Sequence, residues 1–371
     1  MIAARAYLAD GRIGAGLAEV NAEVARILTA FKGAALVEPA ALLPADVLID
    51  LYGEDLRARA YTTHDPVLGE QMLRPDFTVP VVQMHMAVGN EPARYCYAGP
   101  VWRKQEPGSD RPTEYLQTGY EVFDGADVAA ADAEVFALIS SVLEGLPVQP
   151  VTGDIGIMLA AIDALETNDR RKAALRHHAW RPNRFKRLLL RYSQGATVSA
   201  DRAALLQAAK SGGLKDIFQQ NGPEIGLRNT VEISERIEIL LAESEAEPIA
   251  KEQVQRLEQV LAVSGKTGAA IKTLQALGAD TTALETRAAA LEKHGINGFE
   301  LPFEASFGRT TLEYYDGFVF GFYAPNHPEL PQIAQGGRYD ALTRVLGQGK
   351  GIPAVGGIIR PEALLALKGA L

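Results

Sequence analysis

Hydrophobic residues recur along this chain at two spacings, one typical of helices and one typical of strands. In the first thirty residues, apolar side chains at Leu17, Val20, Val24 and Leu28 follow three- and four-residue intervals. This spacing predicts an amphipathic helix that ends near Gly33. Helical spacing returns at residues 79–87 and 128–144.

Two long runs rich in β-formers, at residues 94–102 and 115–123, predict the central strands of a sheet. The linker between them is polar and contains glycine, serine, aspartate and two prolines, so we expect an antiparallel hairpin with a long loop. Shorter strand signals lie at residues 34–40, 71–75, 148–158 (with a glycine turn at Gly153), 299–307, 318–323, 333–335 and 351–359. The last run leads into a helix at Pro361, a residue favoured in the first helical turn.

From about residue 160 to 291 the pattern is almost wholly helical. Strands before and after this block predict an α+β fold, an antiparallel sheet flanked by helices and interrupted by a helical insertion. We expect a core at residues 1–195, the insertion at 196–298, and completion of the sheet at 299–371.

Composition narrows the class of protein. The 371 residues carry a net charge of −9, which opposes nucleic-acid binding, and a single cysteine, Cys96, which excludes an intrachain disulfide. We find no signal peptide and no apolar run long enough for a membrane span, so we expect a cytoplasmic protein. The six histidines show no ligand spacing, and we expect neither a metal nor a cofactor.

The second long strand carries the clearest candidate chemistry. Its two-residue period places Gln117, Gly119 and Glu121 on one face, where an amide and a carboxylate could accept hydrogen bonds from an amine or an imidazole. Arg103, at the end of the preceding strand, could bind a carboxylate or a phosphate. The alternative is a sheet face that is polar because it is exposed to solvent.

This hairpin resembles motif 2 of class II aminoacyl-tRNA synthetases in its histidyl form, with Trp102-Arg103 ending one strand and Gln117-Thr118-Gly119-Tyr120-Glu121 in the other. Three more segments resemble that family: Leu73-Arg74-Pro75-Asp76-Phe77-Thr78, Tyr314-Tyr315-Asp316-Gly317 and Gly336-Gly337-Arg338-Tyr339-Asp340. Val37-Glu38-Pro39 stands where the family has motif 1, its dimer element. The resemblance implies a class II synthetase-like core and a homodimer formed through the motif 1 region.

The resemblance also implies a pocket for histidine. Its candidate residues are Asp76, Thr78, Arg103, Gln117, Glu121, Arg309, Tyr314, Tyr315 and Tyr339. For each tyrosine taken alone, the alternative is an ordinary aromatic residue of the core.

Several departures bear on catalysis, because adenylation requires cations arranged around a triphosphate. In the segment that resembles motif 3, Ala363 stands where the family has arginine, and Arg360 stands where a glycine is expected. In motif 2 the family has a carboxylate two residues after the arginine, whereas this chain has Gln105. Arg309 is one residue out of register with the arginine that the family has before its Tyr-Tyr pair. We therefore expect no adenylation and no catalytic residues.

The printed chain ends at Leu371, where the synthetases continue into an anticodon-binding domain, so tRNA is not an expected partner. This combination resembles the family of regulatory subunits that assemble with the short form of ATP phosphoribosyltransferase. That family implies a role in histidine biosynthesis, a catalytic partner that needs the subunit, and feedback inhibition by free histidine. Two alternatives remain open: a truncated synthetase-like enzyme that activates histidine for an acceptor other than tRNA, and a regulator that binds RNA or a protein.

A basic run at residues 170–191 has helical spacing. A solvated helix face is the first interpretation, docking of a partner the second, and contact with RNA the third.

Overall fold

A computed structural model describes residues 15–52, 59–106, 108–109, 112–194, 199–220, 229–309 and 314–369. Within this part of the chain, no helix is both long enough and apolar enough to span a membrane.

The architecture is a mixed α+β fold with a nine-stranded sheet, which confirms the predicted fold class. The strands of this sheet are β1 (Ala35–Leu36), β5 (Ala93–Trp102), β6 (Glu114–Phe123), β7 (Gln149–Asp154), β8 (Ser264–Lys266), β9 (Pro302–Glu304), β10 (Phe318–Tyr323), β11 (Ala334–Arg338) and β12 (Ala354–Ile359). Their order is β1-β5-β6-β12-β11-β10-β7-β9-β8. Neighbouring strands are antiparallel except in the pairs β1/β5 and β7/β9. A second sheet contains three strands, β2 (Leu42–Pro44), β3 (Thr62–Asp65) and β4 (Gly69–Leu73), in the order β2-β4-β3.

The predicted hairpin is confirmed. β5 and β6 pair antiparallel along ten positions, with Tyr97 opposite Gly119 and Tyr95 opposite Glu121. β12 pairs with the other edge of β6 and places Gly356 opposite Glu121. The end of the chain therefore completes the sheet, as the strand signals predicted, and the structure places its last strand beside the hairpin.

Fifteen helices are described. They are α1 (Ala15–Ala30), α2 (Ala45–Tyr52), α3 (Thr78–Val88), α4 (Val128–Val142), α5 (Ile155–Asp163), α6 (Asp169–His177), α7 (Pro182–Gln194), α8 (Ala200–Lys210), α9 (Leu214–Gln220), α10 (Thr230–Glu245), α11 (Lys251–Leu261), α12 (Thr267–Ala276), α13 (Thr282–Glu292), α14 (Asp340–Leu346) and α15 (Pro361–Leu367).

The main hydrophobic core covers one face of the nine-stranded sheet. Alternate residues of the strands, such as Val122, Phe320 and Val355, pack in one cluster with Ile27 of α1 and Phe136 of α4. Because successive strand residues point to opposite faces, Glu121 and Gly356 point away from this cluster. The site described below lies on that other face.

The chain divides into two compact units: residues 1–160 with 259–371, and residues 161–258. The insertion predicted at 196–298 thus differs from the observed helical unit at both ends. Residues 264–266 pair with β9, and Arg287 of α13 forms ion pairs with Asp132 and Asp154, so this stretch packs with the first unit. Helical periodicity reports the spacing of apolar residues and does not report which unit they pack against.

Three local predictions need correction. The run at 148–158 was predicted as one strand, but β7 ends at Asp154 and α5 begins at Ile155. The predicted turn at Gly153 is wrong, because this glycine lies within β7, where an added Cβ would come within 2.8 Å of the Glu304 carbonyl oxygen. Of the run at 299–307, only Pro302–Glu304 forms a strand.

The basic run on α6 and α7 is mostly exposed to solvent, in agreement with its first interpretation as a solvated helix face. Arg170, Arg176, Arg184 and Arg187 are exposed. Arg171 is the exception, since its side chain is buried.

Candidate functional site

Four glycines leave space on the sheet face opposite the main core. At Gly99 an added Cβ would lie 3.0 Å from the Phe77 ring, and at Gly119 it would lie 2.3 Å from the Tyr97 ring. At Gly337 it would lie 2.7 Å from the Tyr315 ring, and at Gly356 it would lie 1.5 Å from the Glu121 carboxylate. Real Cβ contacts are not this short, so larger residues would displace these side chains. The glycines of β5, β6, β11 and β12 therefore form the floor on which the polar side chains lie.

The centre of the site is the buried carboxylate of Glu121 on β6. Its Oε1 accepts hydrogen bonds from the hydroxyls of Tyr97, at 2.8 Å, and Thr78, at 3.2 Å. Its Oε2 accepts from the Tyr339 hydroxyl at 2.5 Å. Within the described residues, hydroxyl groups supply all of its hydrogen bonds and no cation pairs with it.

Burial changes the acid–base behaviour of this cluster. It raises the pKa of Glu121 to about 7, with the charge of Asp76 adding to the rise and the three hydroxyl donors opposing it. Burial and the Glu121 charge also raise the pKa values of Tyr97 and Tyr339 well above the ordinary range. The tyrosines therefore remain hydroxyl donors, and the carboxyl of Glu121 is the group that titrates near neutral pH.

Asp76 and Gln117 add two further acceptors. Asp76 is buried at the start of α3, where its Oδ1 accepts from the Val79 backbone N–H at 3.3 Å. Its negative charge contributes to the raised pKa values of Glu121 and Tyr315, which places it beside both. Gln117 is 1% exposed, and its Oε1 has no hydrogen-bond partner in the described part of the chain. A buried carbonyl oxygen of this kind is stabilised when a ligand donates to it.

The three predicted tyrosines lie together, and all are buried. The Tyr314 ring meets the Tyr315 ring edge-on at 4.9 Å and the Tyr339 ring at 6.1 Å. Burial, followed by the charges of Glu121 and Asp76, raises the pKa of Tyr315. The interpretation as core aromatics accounts for their burial, but it does not account for the hydroxyl that Tyr339 directs to Glu121.

The two predicted arginines lie at the border of this cluster. Arg103 donates from Nε to the Pro75 carbonyl oxygen at 2.8 Å, and its positive charge acts on Tyr315. Arg309 is buried, and this burial lowers its pKa. Gly308, the residue before Arg309, packs against Val319. Val319 pairs with Gly337, so it faces the same side of the sheet as Gly337 and Glu121. The residues 310–313, which follow Arg309 in the resemblance, lie outside the described residues.

At the segment that resembles motif 3, the structure shows how the two departures are accommodated. Ala363 is 7% exposed and belongs to the main hydrophobic cluster. Arg360 donates from Nη1 to the Gln332 carbonyl oxygen at 2.5 Å, and so contributes to local structure. Glu362 accepts from the Leu116 backbone N–H at 2.8 Å, where β6 extends beyond the end of β12.

Tyr97 is a site residue that the sequence reasoning missed. The sequence predicts only a strand around it, at residues 94–102, and gives Tyr97 no role. In the structure Cys96 is buried as a free thiol, while Tyr97 stacks on Phe77 at 4.4 Å and donates to Glu121. The available signal was register, since Tyr97 lies opposite Gly119, two residues from Glu121 on the same face.

A buried ionic network surrounds Arg338, the last residue of β11 and the neighbour of Tyr339. Arg338 donates to Asp132 at 2.7 Å and to Asp340 at 3.0 Å. Arg287 donates to Asp154 at 2.8 Å and to the other oxygen of Asp132 at 3.3 Å. Each of the two arginines thus bridges two carboxylates, which satisfies charges that would otherwise be costly to bury.

The arrangement is a small buried site rich in acceptors and in tyrosine hydroxyls. Carboxylate and amide oxygens at Asp76, Gln117 and Glu121 suit a ligand with an ammonium group and a ring N–H. In the described residues, no group of three or more His, Cys, Asp or Glu is placed to hold a metal ion.

Comparison with known proteins identifies the family of this chain. The family profile of histidyl-tRNA synthetase matches residues 17–221 and 228–364. ATP phosphoribosyltransferase regulatory subunits from Brucella canis and Brucella melitensis biotype 1 are each 30% identical over 370 residues, and the match covers 91% of this chain and 94% and 93% of theirs.

Solved structures show the same fold. An ATP phosphoribosyltransferase regulatory subunit/histidyl-tRNA synthetase from Bacillus halodurans superposes with a TM-score of 0.65 at 19% identity, covering 96% of this chain and 81% of that one. A histidine–tRNA ligase subunit from Alicyclobacillus acidocaldarius superposes with a TM-score of 0.60 at 22% identity, covering 97% and 96%. The chain belongs to the histidyl-tRNA synthetase family, in its branch of ATP phosphoribosyltransferase regulatory subunits.

Proposed function

We propose that this chain is the non-catalytic regulatory subunit of ATP phosphoribosyltransferase in the first step of histidine biosynthesis. It assembles with a short-form catalytic subunit, is needed for the activity of that partner, and mediates feedback inhibition by histidine. The names of the Brucella relatives support the regulatory role.

One observation carries the proposal: a buried cluster of hydrogen-bond acceptors lies at the positions of the implied histidine pocket, while alanine stands where the family has the motif 3 arginine. Glu121, Tyr339 and Gln117 form a buried cluster that suits the ammonium and imidazole of histidine. Ala363, where the family has an arginine, lies in the hydrophobic core instead. Removing a preorganised charge from a catalytic site typically costs about 10²–10³ in rate, so a site without this cation suits binding better than adenylation.

Histidine binding in this pocket can control a partner only through linkage. If histidine favours an inactive assembly, the active assembly must bind histidine more weakly by the same factor. We also propose a homodimer formed through the region of Val37-Glu38-Pro39, because this segment resembles the dimer element of the synthetases.

The test is to titrate the purified chain into a short-form ATP phosphoribosyltransferase and to measure formation of phosphoribosyl-ATP with and without histidine. Histidine-dependent exchange between pyrophosphate and ATP is measured on the chain alone. We expect activation of the transferase, inhibition by histidine, and no exchange. Robust exchange without any effect on the transferase would contradict the proposal and would favour the enzyme that activates histidine.

A matched pair of variants separates the pocket from the rest of the chain. Glu121→Gln removes the central carboxylate, whereas Glu134→Gln changes a carboxylate bound to Arg94 and Tyr120. We expect Glu121→Gln to activate the transferase but to weaken histidine inhibition by roughly ten-fold or more, the usual effect of losing a charged hydrogen-bond acceptor. Glu134→Gln should keep normal inhibition, and equal inhibition of both variants would place the histidine site elsewhere.

A further inference from the structure

A second cavity lies entirely within the unit of residues 161–258 and is not part of the site above. Its volume is about 310 Å³, and it is bounded by the end of α7, the start of α8 and the end of α10. Six charged residues line it: Arg171, Arg191, Arg202, Glu243, Glu245 and Glu247.

Three of these six charges, those of Arg171, Glu243 and Glu245, are compensated inside the unit. Arg171 donates from Nε to the Glu243 carboxylate at 2.6 Å and from Nη1 to the Glu247 carbonyl oxygen at 2.7 Å. It also donates to the Glu243 carbonyl oxygen at 3.3 Å, so it satisfies the C-terminal end of α10. Glu245 pairs with Lys210 at 3.0 Å.

Two arginines of the lining, Arg191 and Arg202, have no such compensating charge in the described part of the chain. Neither Arg191 nor Arg202 forms an ion pair in the described part of the chain, and the Nε of Arg202 is shielded from solvent without a hydrogen-bond partner. Glu243 and Glu245 form the ion pairs described above. The third acidic residue of the lining, Glu247, is exposed. A buried guanidinium N–H without an acceptor is destabilising, and an anion in the cavity would remove that penalty.

We propose that this cavity binds the phosphoryl group of a small phosphorylated metabolite, held by Arg202 and Arg191. A guanidinium presents parallel N–H donors that match two oxygens of a phosphate. The two arginines outnumber the one unpaired carboxylate of the lining, that of Glu247, so the uncompensated charge of the cavity is positive. The volume lies at the lower limit for small-molecule sites, which favours inorganic phosphate or a sugar phosphate over a dinucleotide. The Tyr192 ring, with Arg171 stacked at 5.0 Å, forms an apolar wall for the rest of such a ligand.

The test uses the full-length chain and isothermal titration with inorganic phosphate and, separately, with ribose 5-phosphate, at constant ionic strength. We expect saturable binding that Arg202→Gln weakens at least ten-fold, roughly the value of one charge-assisted contact. Arg184→Gln is the matched control, because Arg184 is an exposed arginine of α7 that does not line the cavity. Tighter binding of ribose 5-phosphate than of phosphate would identify a sugar phosphate as the ligand class, and equal binding would identify the phosphoryl group alone.

Two results would overturn the proposal. The first is no saturable binding of either anion. The second is an equal loss of affinity in Arg184→Gln and Arg202→Gln, which would show diffuse attraction of the anion to the basic helix. Helix content measured by circular dichroism establishes that each variant is folded. Should Arg202→Gln fail to fold, Arg191→Gln decides the question by the same criterion, because Arg191 is exposed at the rim.

Discussion

At the residue scale, Glu121 is a buried carboxyl group whose hydrogen bonds come from Thr78, Tyr97 and Tyr339. Burial raises its pKa to about 7, despite these donors. In the unfolded chain the same group ionises near 4.5. The folded state therefore holds the proton more tightly, and the contribution of Glu121 to stability is lost as the pH rises through 7.

This shift predicts a pH-dependent difference between the wild-type chain and Glu121→Gln. From pH 5 to pH 8 the wild-type chain should lose about 2–3 kcal/mol of unfolding free energy relative to the variant, which cannot ionise at this position. The measurement is chemical denaturation of both proteins at several pH values. Burial also raises the pKa of Asp316, to about 6, but that group is present in both proteins and cancels in the comparison. A difference that stays constant with pH would show that Glu121 ionises normally.

Thr118 lies next to the pocket residues but points to the other face of β6. It is fully buried, and its hydroxyl has no hydrogen-bond partner in the described part of the chain. We expect Thr118→Val to raise the unfolding free energy by up to about 1 kcal/mol, because valine has the same shape without the unsatisfied group.

Thr152→Val is the matched control for this prediction. The Thr152 hydroxyl is also buried, but it donates to the Pro302 carbonyl oxygen at 2.8 Å. This variant should lose about 1 kcal/mol, the usual net value of such a bond. Thermal and urea denaturation measure both changes, and a destabilised Thr118→Val would mean that its hydroxyl has an acceptor.

At the scale of elements, the site depends on the close approach of β12 to β6. Gly356 lies directly opposite Glu121, and the space of its missing side chain contains the Glu121 carboxylate. The two strands are separated by more than 200 residues of sequence, yet their pairing decides whether the pocket exists.

Gly356→Ala should therefore displace Glu121 and abolish the histidine binding proposed above, with a destabilisation of about 1–3 kcal/mol from overpacking. Binding is measured by calorimetry and stability by thermal denaturation. Gly16→Ala is the control, because Gly16 lies in α1 and an added Cβ there meets nothing within 4 Å. It should leave binding unchanged and should not destabilise the chain. Normal histidine binding by Gly356→Ala would contradict the assigned pocket.

Element prediction from the sequence succeeded where local periodicity and packing agree. The strands at 94–102 and 115–123 alternate clearly, and β5 and β6 match them within one residue. The run at 148–158 failed because Ile155, Ile157 and Met158 are buried in a helix, and a short apolar run does not distinguish a buried strand from a buried helix.

At the scale of the whole molecule, the ionic network of Arg287, Arg338, Asp132 and Asp154 joins segments that are far apart in sequence. All four side chains are buried, and Arg287 also stacks on the Phe318 ring at 4.3 Å. Removing one partner of a buried pair leaves an uncompensated charge.

Arg287→Met should therefore lower the unfolding free energy by about 3–5 kcal/mol, since Asp154 loses its ion pair and Asp132 loses one of two. Lys293→Met, at the exposed C-terminal end of the same helix, is the control and should change stability by less than about 0.5 kcal/mol. Urea denaturation measures both. Similar small effects in the two variants would show that water reaches the network.

Spacing and residue order within short segments were enough to predict most of the helices, the long hairpin and the family resemblance. Eight of the nine candidate pocket residues were found in this way as parts of family segments, and Arg309 from its position just before one of them. Four features became visible only in the folded chain. Tyr97 donates to Glu121, and Ala363 lies in the core. Arg171 is buried beneath a basic helix face, and residues 264–298 pack with the sheet. Each of these depends on contacts between residues distant in sequence, and the free energy of such contacts comes from burial and pairing that local patterns do not encode.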